Sequence, residues 1–477
     1  MSRVLMVLLF ILLVNSTFGQ PNEKMLDEIS ITYKNYSNLI ENHYNYQVEL
    51  INEIDYFNKI EHKNYVLKGL DLKQINSKFS KIINLLQQSI TFNNKKNSSQ
   101  KKNGPNKLSL NEKIMLDLIF IHLRIKAFET YTLQQKMFKK NIKIANLLNE
   151  ENRIYNRKKN SFKNISKIII SNKYRKSIIK NWLFVSSYDS IILNNKINNY
   201  LFKKITSTKY FQEYLKTSEH IKISKKRYTY LIKQKRAFNT KRGFTNFINS
   251  LVFGCSKIIG NTAGIIATRK GKLLNKKQFS NAIKTKSKPL DVFLEKTPFR
   301  LTDKFIPGYW GHAAIYIGNE NQLKELGVWE NPLVKKYHQT IKNGACIIEA
   351  LRSDVALHEF KKFTNIDDFA HLRLKNKIPL AKKREMLIRA FAQIGKKYDF
   401  RFDIESSKKI VCTELHYMIF DEVKFNTTKN FGRYTLSADK IAEQALKNKP
   451  FKLINLYING VEVTPNKRQT IYKRLLK

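Results

Sequence analysis

The chain has 477 residues, 42% of them hydrophobic, and a formal net charge of +50 from 88 Lys and Arg against 38 Asp and Glu. Its length exceeds one ordinary domain and its apolar content is sufficient to bury cores. Composition therefore excludes a disordered chain and predicts two or more folded units. The three cysteines are too few for a disulfide scaffold, and an odd number leaves at least one thiol unpaired within the chain.

The first predicted segment is a secretory signal peptide. Arg3 precedes an apolar run from Val4 to Val14, and small residues lead up to Gly19, which is the layout of a peptide cut after Gly19. The run is shorter than the roughly 20 residues of a bilayer span. We therefore expect residues 1–19 to be removed and the protein to be exported to the periplasm or cell envelope, in association with the membrane.

Residues 20–240 are predicted to form a basic helical domain. Apolar residues recur at helical spacing while Pro and Gly are scarce, which indicates a helical bundle or a long hairpin. The polar stretch at residues 93–107 predicts a loop, and Ser109 with Glu112 predicts a capping box that starts a helix near Leu110. This half contains no catalytic constellation.

A small-residue apolar segment follows at residues 241–286. Its centre, residues 251–267, carries glycines and is flanked by clusters of Lys and Arg, which fits a segment in a membrane interface with cationic edges. Lys257 and Asn261 make it too polar for a bilayer span. A buried helix packed against the following domain fits equally well, and Cys255 is interpreted as a small apolar filler.

Residues 287–477 are predicted to form a small α+β domain. Short apolar runs broken by turns, namely DVFLE, HAAIYIG, ACIIEAL and DDFAHLRL, are typical of strands. A helix introduced by Pro379 and stopped by Gly395 follows, and a second helix begins near Cys412. LSADKIAEQAL then predicts a helix, and FKLINLYING predicts a last strand.

Cys412 is the candidate nucleophile of this domain. A thiol attacks as its thiolate, and Cys412 opens an amphipathic helix, where the helix dipole and free N–H groups favour negative charge. The backbone amides of Cys412 and Thr413 are candidates for an oxyanion hole. His312, at the start of HAAIYIG, is the candidate base. Glu349, expected on the adjacent strand, is a candidate to orient the imidazole.

The other cysteines and histidines are weaker candidates. Cys346 lacks a helix N-terminus, and strand alternation places it on the opposite face from Glu349, so it is predicted to be a core residue. His416 lies one helical turn after Cys412 and is the main rival base. The other histidines of the domain lack a cysteine or acidic cluster at metal-ligand spacing, so neither a metal nor a cofactor is predicted. They are His338, His358 and His371.

The order of the motifs resembles a known family. PLDVFLEK, GHAAIYIG, IIEAL, KYDFRFD and VCTELHYMIF are similar, in that order, to the circularly permuted branch of the NlpC-type papain-like hydrolases, in particular the YiiX/YebB-like group. The histidine precedes the cysteine, as in that branch. The resemblance covers roughly residues 287–460 and implies a catalytic set of Cys412, His312 and Glu349 that hydrolyses or transfers an acyl group through a thioester.

The fold class that follows is α+β, with an N-terminal helical bundle or hairpin followed by a small circularly permuted papain-like domain. The resemblance also marks Tyr398 and Asp399, which match the family's YD pair. They are candidates for binding the oxyanion or shaping the cleft, and a purely structural role is the alternative. Val411 departs from the family, which often has an aromatic residue before the cysteine; the thiol itself is unaffected.

These features define the functions that we expect. The first is an exported cysteine amidase, esterase or acyltransferase acting on an acyl bond of a lipid, lipoprotein or other envelope substrate, with a murein peptide amidase or endopeptidase as the alternative. The second is a basic protein that docks to anionic lipid or glycan and carries a non-catalytic hydrolase-like domain. An anionic membrane surface is the expected partner. Nucleic acid is not, because the export signal opposes it and no reading motif is present.

Overall fold

A computed structural model of the chain describes residues 23–53, 55–57, 67, 69–99, 109–137, 144, 147–208, 211, 267–300, 303, 308–351, 353–398, 409–430 and 433–476. The predicted signal peptide at residues 1–19, most of the small-residue segment with Cys255, and Asp399 lie outside these residues. The chain divides into two compact units, and the second comprises Val66–Asn76, Glu150–Asn156 and Phe238–Lys477.

The described elements of the N-terminal half are helices, as the 3.6-residue periodicity predicted. They are α1 (Glu23–Asn52), α2 (Gly69–Ser99), α3 (Leu110–Met137), α4 (Ser161–Ile169), α5 (Asn172–Ser186), α6 (Asp189–Asn194) and α7 (Lys196–Thr206). None of the described helices in the chain combines the length and the hydropathy needed to cross a membrane.

Helix α3 is the centre of the N-terminal unit. It packs against α1, α4, α5 and α7 and is buried on nearly all sides, as expected for a helix that is apolar around its circumference. Its predicted capping box is confirmed, because the Ser109 N–H donates to Glu112 Oε2 (2.6 Å) and the Glu112 N–H donates to Ser109 Oγ (3.3 Å). The loop predicted at residues 93–107 begins later, since α2 continues to Ser99. Polar composition alone does not end a helix.

The C-terminal unit combines one large sheet with helices and two short strand pairs. In chain order, its first elements are α8 (Lys277–Lys286), β1 (Asp291–Lys296), β2 (His312–Tyr316), α9 (Glu320–Glu325), α10 (Pro332–Lys335), α11 (His338–Lys342), β3 (Ala345–Ala350), β4 (Val355–Glu359) and α12 (Phe360–Phe363). Those that follow are β5 (Asp368–Leu374), α13 (Leu380–Gln393), β6 (Lys397–Tyr398), β7 (Lys409–Ile410), α14 (Cys412–Ile419), β8 (Thr428–Asn430), β9 (Arg433–Thr435), α15 (Ala438–Ala442), a 3₁₀ turn (Glu443–Ala445), β10 (Phe451–Ile458), β11 (Val461–Glu462) and α16 (Pro465–Leu475).

The sheet has seven strands in the order β11-β10-β5-β1-β2-β3-β4, and each neighbouring pair is antiparallel. An aromatic cluster against this sheet forms the core, with Phe279 of α8 meeting Phe369 of β5 and Tyr457 of β10 edge to face. Such edge-to-face pairs add to the stabilisation from burial alone. The mixed fold class is therefore confirmed, with helices first and an antiparallel sheet in the C-terminal domain.

The predicted elements of this domain are present, and the structure adds others, among them β4, β11 and α16. Helix α13 begins after Pro379, and Gly395 follows its end with φ of 83°, the left-handed geometry that glycine adopts without strain. The strand predicted as the last one is β10. It turns at Asn459 and Gly460, both with positive φ, into the short strand β11, and α16 follows. An Asn-Gly pair is the typical two-residue hairpin turn.

Two segments from the N-terminal half belong to the C-terminal unit. The Tyr417 hydroxyl of α14 donates to the Leu67 carbonyl (3.0 Å), and the Arg153 guanidinium donates to the carbonyl of Ile394 after α13 (2.8 Å). These bonds fasten residues 66–76 and 150–156 to the two helices beside the candidate site.

Candidate active site

His312 and Glu349 lie on neighbouring strands of the sheet. Strand β2 begins with His312 and pairs with β3 in the register Ile315↔Ile348 and Tyr316↔Ile347. This antiparallel register brings the start of β2 beside the end of β3, where Glu349 is located. Glu349 is thus on the strand adjacent to His312, as predicted, and its Oε2 is hydrogen-bonded to His312 Nε2.

Cys412 is the first residue of α14, as predicted from the sequence. The Glu414 carboxylate accepts the Val411 N–H (2.9 Å) and so holds the chain at the entry to the helix. Helix α14 packs against β2 and β3. Cys412 is 8% exposed and Thr413 is 4% exposed, so the thiol lies just beneath the surface at a helix N-terminus, where unpaired N–H groups favour negative charge.

The structure brings Cys412, His312 and Glu349 together. The His312 imidazole is hydrogen-bonded to the Glu349 carboxylate, and the Cys412 thiol lies close enough to interact with the same ring. Because Nε2 faces Glu349, Nδ1 is the nitrogen left for the thiol. Burial alone would lower the pKa of His312, but the charges and hydrogen bonds of Cys412 and Glu349 outweigh it and hold that pKa well above its ordinary value.

Glu349 is ionised although it is buried. Burial opposes its charge, yet the positive charges of the neighbouring imidazoles and their hydrogen bonds lower the pKa of Glu349 to about 2. The thiol can transfer its proton to the imidazole, and the carboxylate then stabilises the imidazolium that forms.

A clamped loop precedes His312. Gly308 has φ of 102°, and the backbone N–H groups of Tyr309 and Trp310 both donate to the carboxylate of Asp439 on α15, each at 2.8 Å. The Gly311 N–H donates to the carbonyl of Glu295 (3.0 Å). This loop fixes where β2 begins and therefore where the imidazole of its first residue lies.

The rival base, His416, faces away from the thiol. Its two ring nitrogens face the carbonyl oxygens of Cys412 (2.8 Å) and Ala314 (3.3 Å). It is fully buried, and burial lowers the pKa of His416 to about 4. Neither carbonyl carries a charge that would offset the burial, so the ring is neutral and donates its single N–H to one of the two.

Cys346 is a core residue, as predicted, although the reasoning by alternation fails. It lies in the aromatic cluster together with its neighbour Ile347. The pairing of β3 with β4 shifts register between Ala345 and Ile347, and such an irregularity interrupts the strict alternation of faces. Burial raises the pKa of the Cys346 thiol to about 11.

The remaining candidates are only partly described. The backbone of Tyr398 pairs in parallel with Ile410, two residues before Cys412. Asp399 lies outside the described residues. Among the side chains that the structure describes, no group of three His, Cys, Asp or Glu is arranged to hold a metal ion.

Two buried side chains near the site were not identified from the sequence. His358 of β4 places Nε2 against Glu349 Oε1, and Glu295 of β1 pairs across the sheet with His312. Burial and the negative charge of Glu349 raise the pKa of Glu295, although the charge of His312 opposes them. The strand VALHE directly after ACIIEAL was the available signal, because its alternation places His358 beside Glu349 once the two strands pair.

Part of the chain is similar to a known protein family. Residues 288–468 match the family described as permuted papain-like amidase enzymes, YaeF/YiiX, the C92 family. A search of curated proteins finds no significant match. The crystal structure of metalloprotein yiiX from Escherichia coli O157:H7 aligns with 36% of this chain and 88% of its own, at 13% identity and a TM-score of 0.23. By the family match, the C-terminal domain of this chain is similar over residues 288–468 to the permuted papain-like amidases.

Proposed function

We propose that the chain is a cysteine amidase in which Cys412 attacks an acyl carbonyl, His312 is the base and Glu349 orients the imidazole. The observation that carries the proposal is that the His312 ring is bonded to the Glu349 carboxylate and interacts with the Cys412 thiol. An imidazole in this position takes the thiol proton on one nitrogen while the other is fixed by the carboxylate.

The proposed reaction proceeds through a thioester. The proton moves from Cys412 Sγ to His312 Nδ1, and the thiolate adds to the acyl carbon to form a tetrahedral oxyanion. The amides at the start of α14 stabilise that oxyanion. The carbon–nitrogen bond then breaks, and His312 Nδ1 protonates the leaving amine. Water, deprotonated by His312, attacks the thioester and releases the acid and the Cys412 thiol.

Labelling by an electrophilic acyl probe tests the assignment. We expect Cys412→Ser to abolish labelling and His312→Ala to reduce its rate by roughly 100-fold, because general-base assistance contributes that order. Cys346→Ala is the matched control, since this thiol lies in the core, and it should label as the parent does. Undiminished labelling of the Cys412→Ser protein would contradict the proposal.

We further propose that the substrate is an acyl bond in a lipid-like or envelope molecule and that the protein is exported after cleavage behind Gly19. The net charge of +50 supports a negatively charged surface as the partner. Product analysis by mass spectrometry after incubation with lipoprotein, phospholipid or purified murein separates these substrates. Release of acid without a transferred acyl group identifies hydrolysis, and N-terminal sequencing of the exported protein checks that it begins at Gln20.

The outer side of helix α5 supports membrane association. Lys173, Lys176 and Lys180 recur along the exposed side of α5, and Leu183 continues the same stripe with 64% of its surface exposed. Between residues 161 and 206 the only acidic residue is Asp189. Cations beside exposed apolar side chains suit an anionic lipid surface, where the charge binds headgroups and the apolar group enters the interface.

Vesicle sedimentation tests this association with the full chain. We expect binding to vesicles containing phosphatidylglycerol, weaker binding as salt is raised, and little binding to pure phosphatidylcholine, because exposed charges are screened by salt. A Lys173→Gln, Lys176→Gln, Lys180→Gln triple variant should bind less. Equal binding to both vesicle types would contradict an electrostatic partner.

A further inference from the structure

Glu349 is held from two sides. Its Oε2 is hydrogen-bonded to His312 Nε2, and its Oε1 is hydrogen-bonded to Nε2 of a second imidazole, that of His358. His358 lies on the edge strand β4, where it pairs with Ile347 while Glu349 pairs with Ala356. This diagonal relation places both side chains on the same face of the two strands. The reaction proposed above makes no use of His358.

The contacts of His358 require a second ring proton. Its Nδ1 lies 3.1 Å from the carbonyl oxygen of Glu359, and its Nε2 faces the Glu349 carboxylate. Both partners only accept hydrogen bonds, and a neutral imidazole has a single N–H to donate. His358 is 8% exposed, so water does not readily replace a missing bond. Only the imidazolium satisfies both contacts.

The surrounding charges favour that state. Burial and the positive charge of Lys362 on α12 act against protonation, while the hydrogen bond and charge of Glu349 act for it and raise the pKa of His358 above its ordinary value. Glu295 of β1 also lies close enough for its charge to interact with His358, and His312 is bonded to the other oxygen of the same Glu349 carboxylate.

We propose that His358 is a positively charged positioning residue that acts on His312 through Glu349, an inference that rests on the proposed function. It has two effects. Bonding the second carboxylate oxygen prevents Glu349 from rotating away from His312. Its charge also offsets that of Glu349. His312 therefore releases its proton to a leaving group more readily than it would if the carboxylate were bonded to His312 alone.

The pH dependence of Cys412 alkylation by iodoacetamide tests both effects. The full chain carries Cys255→Ala and Cys346→Ala, so that Cys412 is the only thiol. We expect the rate to rise with pH and its uppermost step to report loss of the His312 proton. A unit charge roughly 6 Å away shifts a pKa by about two units at an effective dielectric constant of about 20, and solvent reduces this further. We therefore expect His358→Gln, which keeps a donor but no charge, to move the upper step up by about one pH unit.

A second variant separates position from charge. His358→Ala removes the donor as well, and we expect its alkylation rate at pH 6 to fall roughly tenfold, as when an outer hydrogen-bond partner is lost, while His358→Gln stays near the parent rate. The matched control is His371→Gln. His371 is another buried histidine of the sheet, bonded to Asp291 (2.7 Å), and its replacement should lower the melting temperature but leave the upper step unchanged.

The outcomes distinguish the two proposals. If alkylation of Cys412 does not depend on His312, the proposed function fails. If it depends on His312 but His358→Gln follows the parent pH profile, only the role of His358 is overturned. Nitrogen-15 spectra of labelled histidines give an independent check, because His358 should show the shifts of an imidazolium at pH 7.5, and those of a neutral ring would overturn the inference.

Discussion

At the scale of single residues, the candidate site depends on one ionised carboxylate beneath the surface. Glu349 is 5% exposed, and the paired imidazoles lower its pKa to about 2. Buried carboxylates stay charged only when opposite charge and hydrogen bonds offset the loss of hydration. The two imidazoles provide both, and in return the carboxylate stabilises the protonated form of His312.

A Glu349→Gln variant should therefore lose most of the reactivity of Cys412. The amide is similar in shape but carries no charge, so the His312 imidazolium loses its stabilisation and the thiolate forms less readily. We expect the iodoacetamide rate at pH 6 to fall at least about tenfold, since replacing the orienting carboxylate of a triad by an amide is strongly damaging. Glu320→Gln, at the half-buried start of α9, is the control. A rate within twofold of the parent would show that the carboxylate is not required.

At the scale of elements, the loop before β2 is held by the first turn of α15. Asp439 accepts two backbone N–H groups of this loop, and a Cβ added at Gly308 would lie 2.3 Å from Asp439 Oδ2. Glycine is required there both for its positive φ and for the space that the carboxylate occupies.

Gly308→Ala should consequently displace the loop and slow alkylation of Cys412. The matched control is Gly395→Ala, where φ is also positive but a Cβ would meet nothing within 4 Å. The control isolates backbone strain, which costs about 1 kcal/mol, and should leave the alkylation rate unchanged. If both variants react at the parent rate, the clamp does not determine the position of His312.

Helices α1 and α3 bury two neutral histidines. His43 Nδ1 lies 2.8 Å from Thr130 Oγ1 and its Nε2 lies 2.8 Å from Ser89 Oγ, while His122 Nδ1 lies 2.7 Å from the Tyr36 hydroxyl. Burial, reinforced by the charge of Lys126, lowers the pKa of each histidine to about 3.

The N-terminal helices should therefore lose stability as the pH falls from about 6.5 towards 3. Over this range the unfolded chain binds a proton at each histidine and the folded chain does not, which costs about 1.4 kcal/mol per pH unit for each of them. Hydrogen exchange of peptides from α1 and α3 measures this at pH 7 and pH 5. A His43→Gln variant should show a shallower dependence, and equal protection at both pH values would contradict the prediction.

At the scale of the whole molecule, the C-terminal unit is larger than the family match. Residues 66–76 and 150–156 belong to it. Gly69 approaches α14 so closely that an added Cβ would lie 2.7 Å from the Tyr417 carbonyl oxygen, and Lys73 forms an ion pair with Glu385 of α13 (2.8 Å). The two helices are thus covered by chain that precedes the hydrolase domain.

A fragment of residues 267–477 should be less stable than the same unit in the full chain. Removing the two segments exposes apolar surface of α13 and α14 and leaves the Tyr417 hydroxyl and the Ile394 carbonyl without these partners. Thermal unfolding followed by tryptophan fluorescence, sensitive to the buried Trp310, measures the difference. Tyr417→Phe in the full chain, which removes one hydrogen bond, should show a much smaller change. An equal melting temperature for fragment and full chain would contradict the prediction.

Several parts of the fold and of the candidate site could be predicted because their sequence signals are local. The capping box at Ser109, the strand HAAIYIG and the helix opening at Cys412 each depend on a few neighbouring residues, so they are visible in a single sequence. His358 and Glu295 were missed because their importance depends on which strands pair and in which register. The bulge near Cys346 was missed for the same reason, since alternation describes one strand and a bulge is a property of two.

The sequence by itself determined the helical and strand-rich halves, the order of the motifs and the thiol at a helix start, because these follow from periodicity, end signals and residue chemistry along the chain. Only the tertiary structure decided that His312 meets both Cys412 and Glu349, that His358 holds the other side of that carboxylate, and that residues 66–76 and 150–156 join the C-terminal unit. Such contacts join residues that are far apart in the chain. Their energies depend on how deeply the groups are buried and on which charged and polar groups are buried beside them.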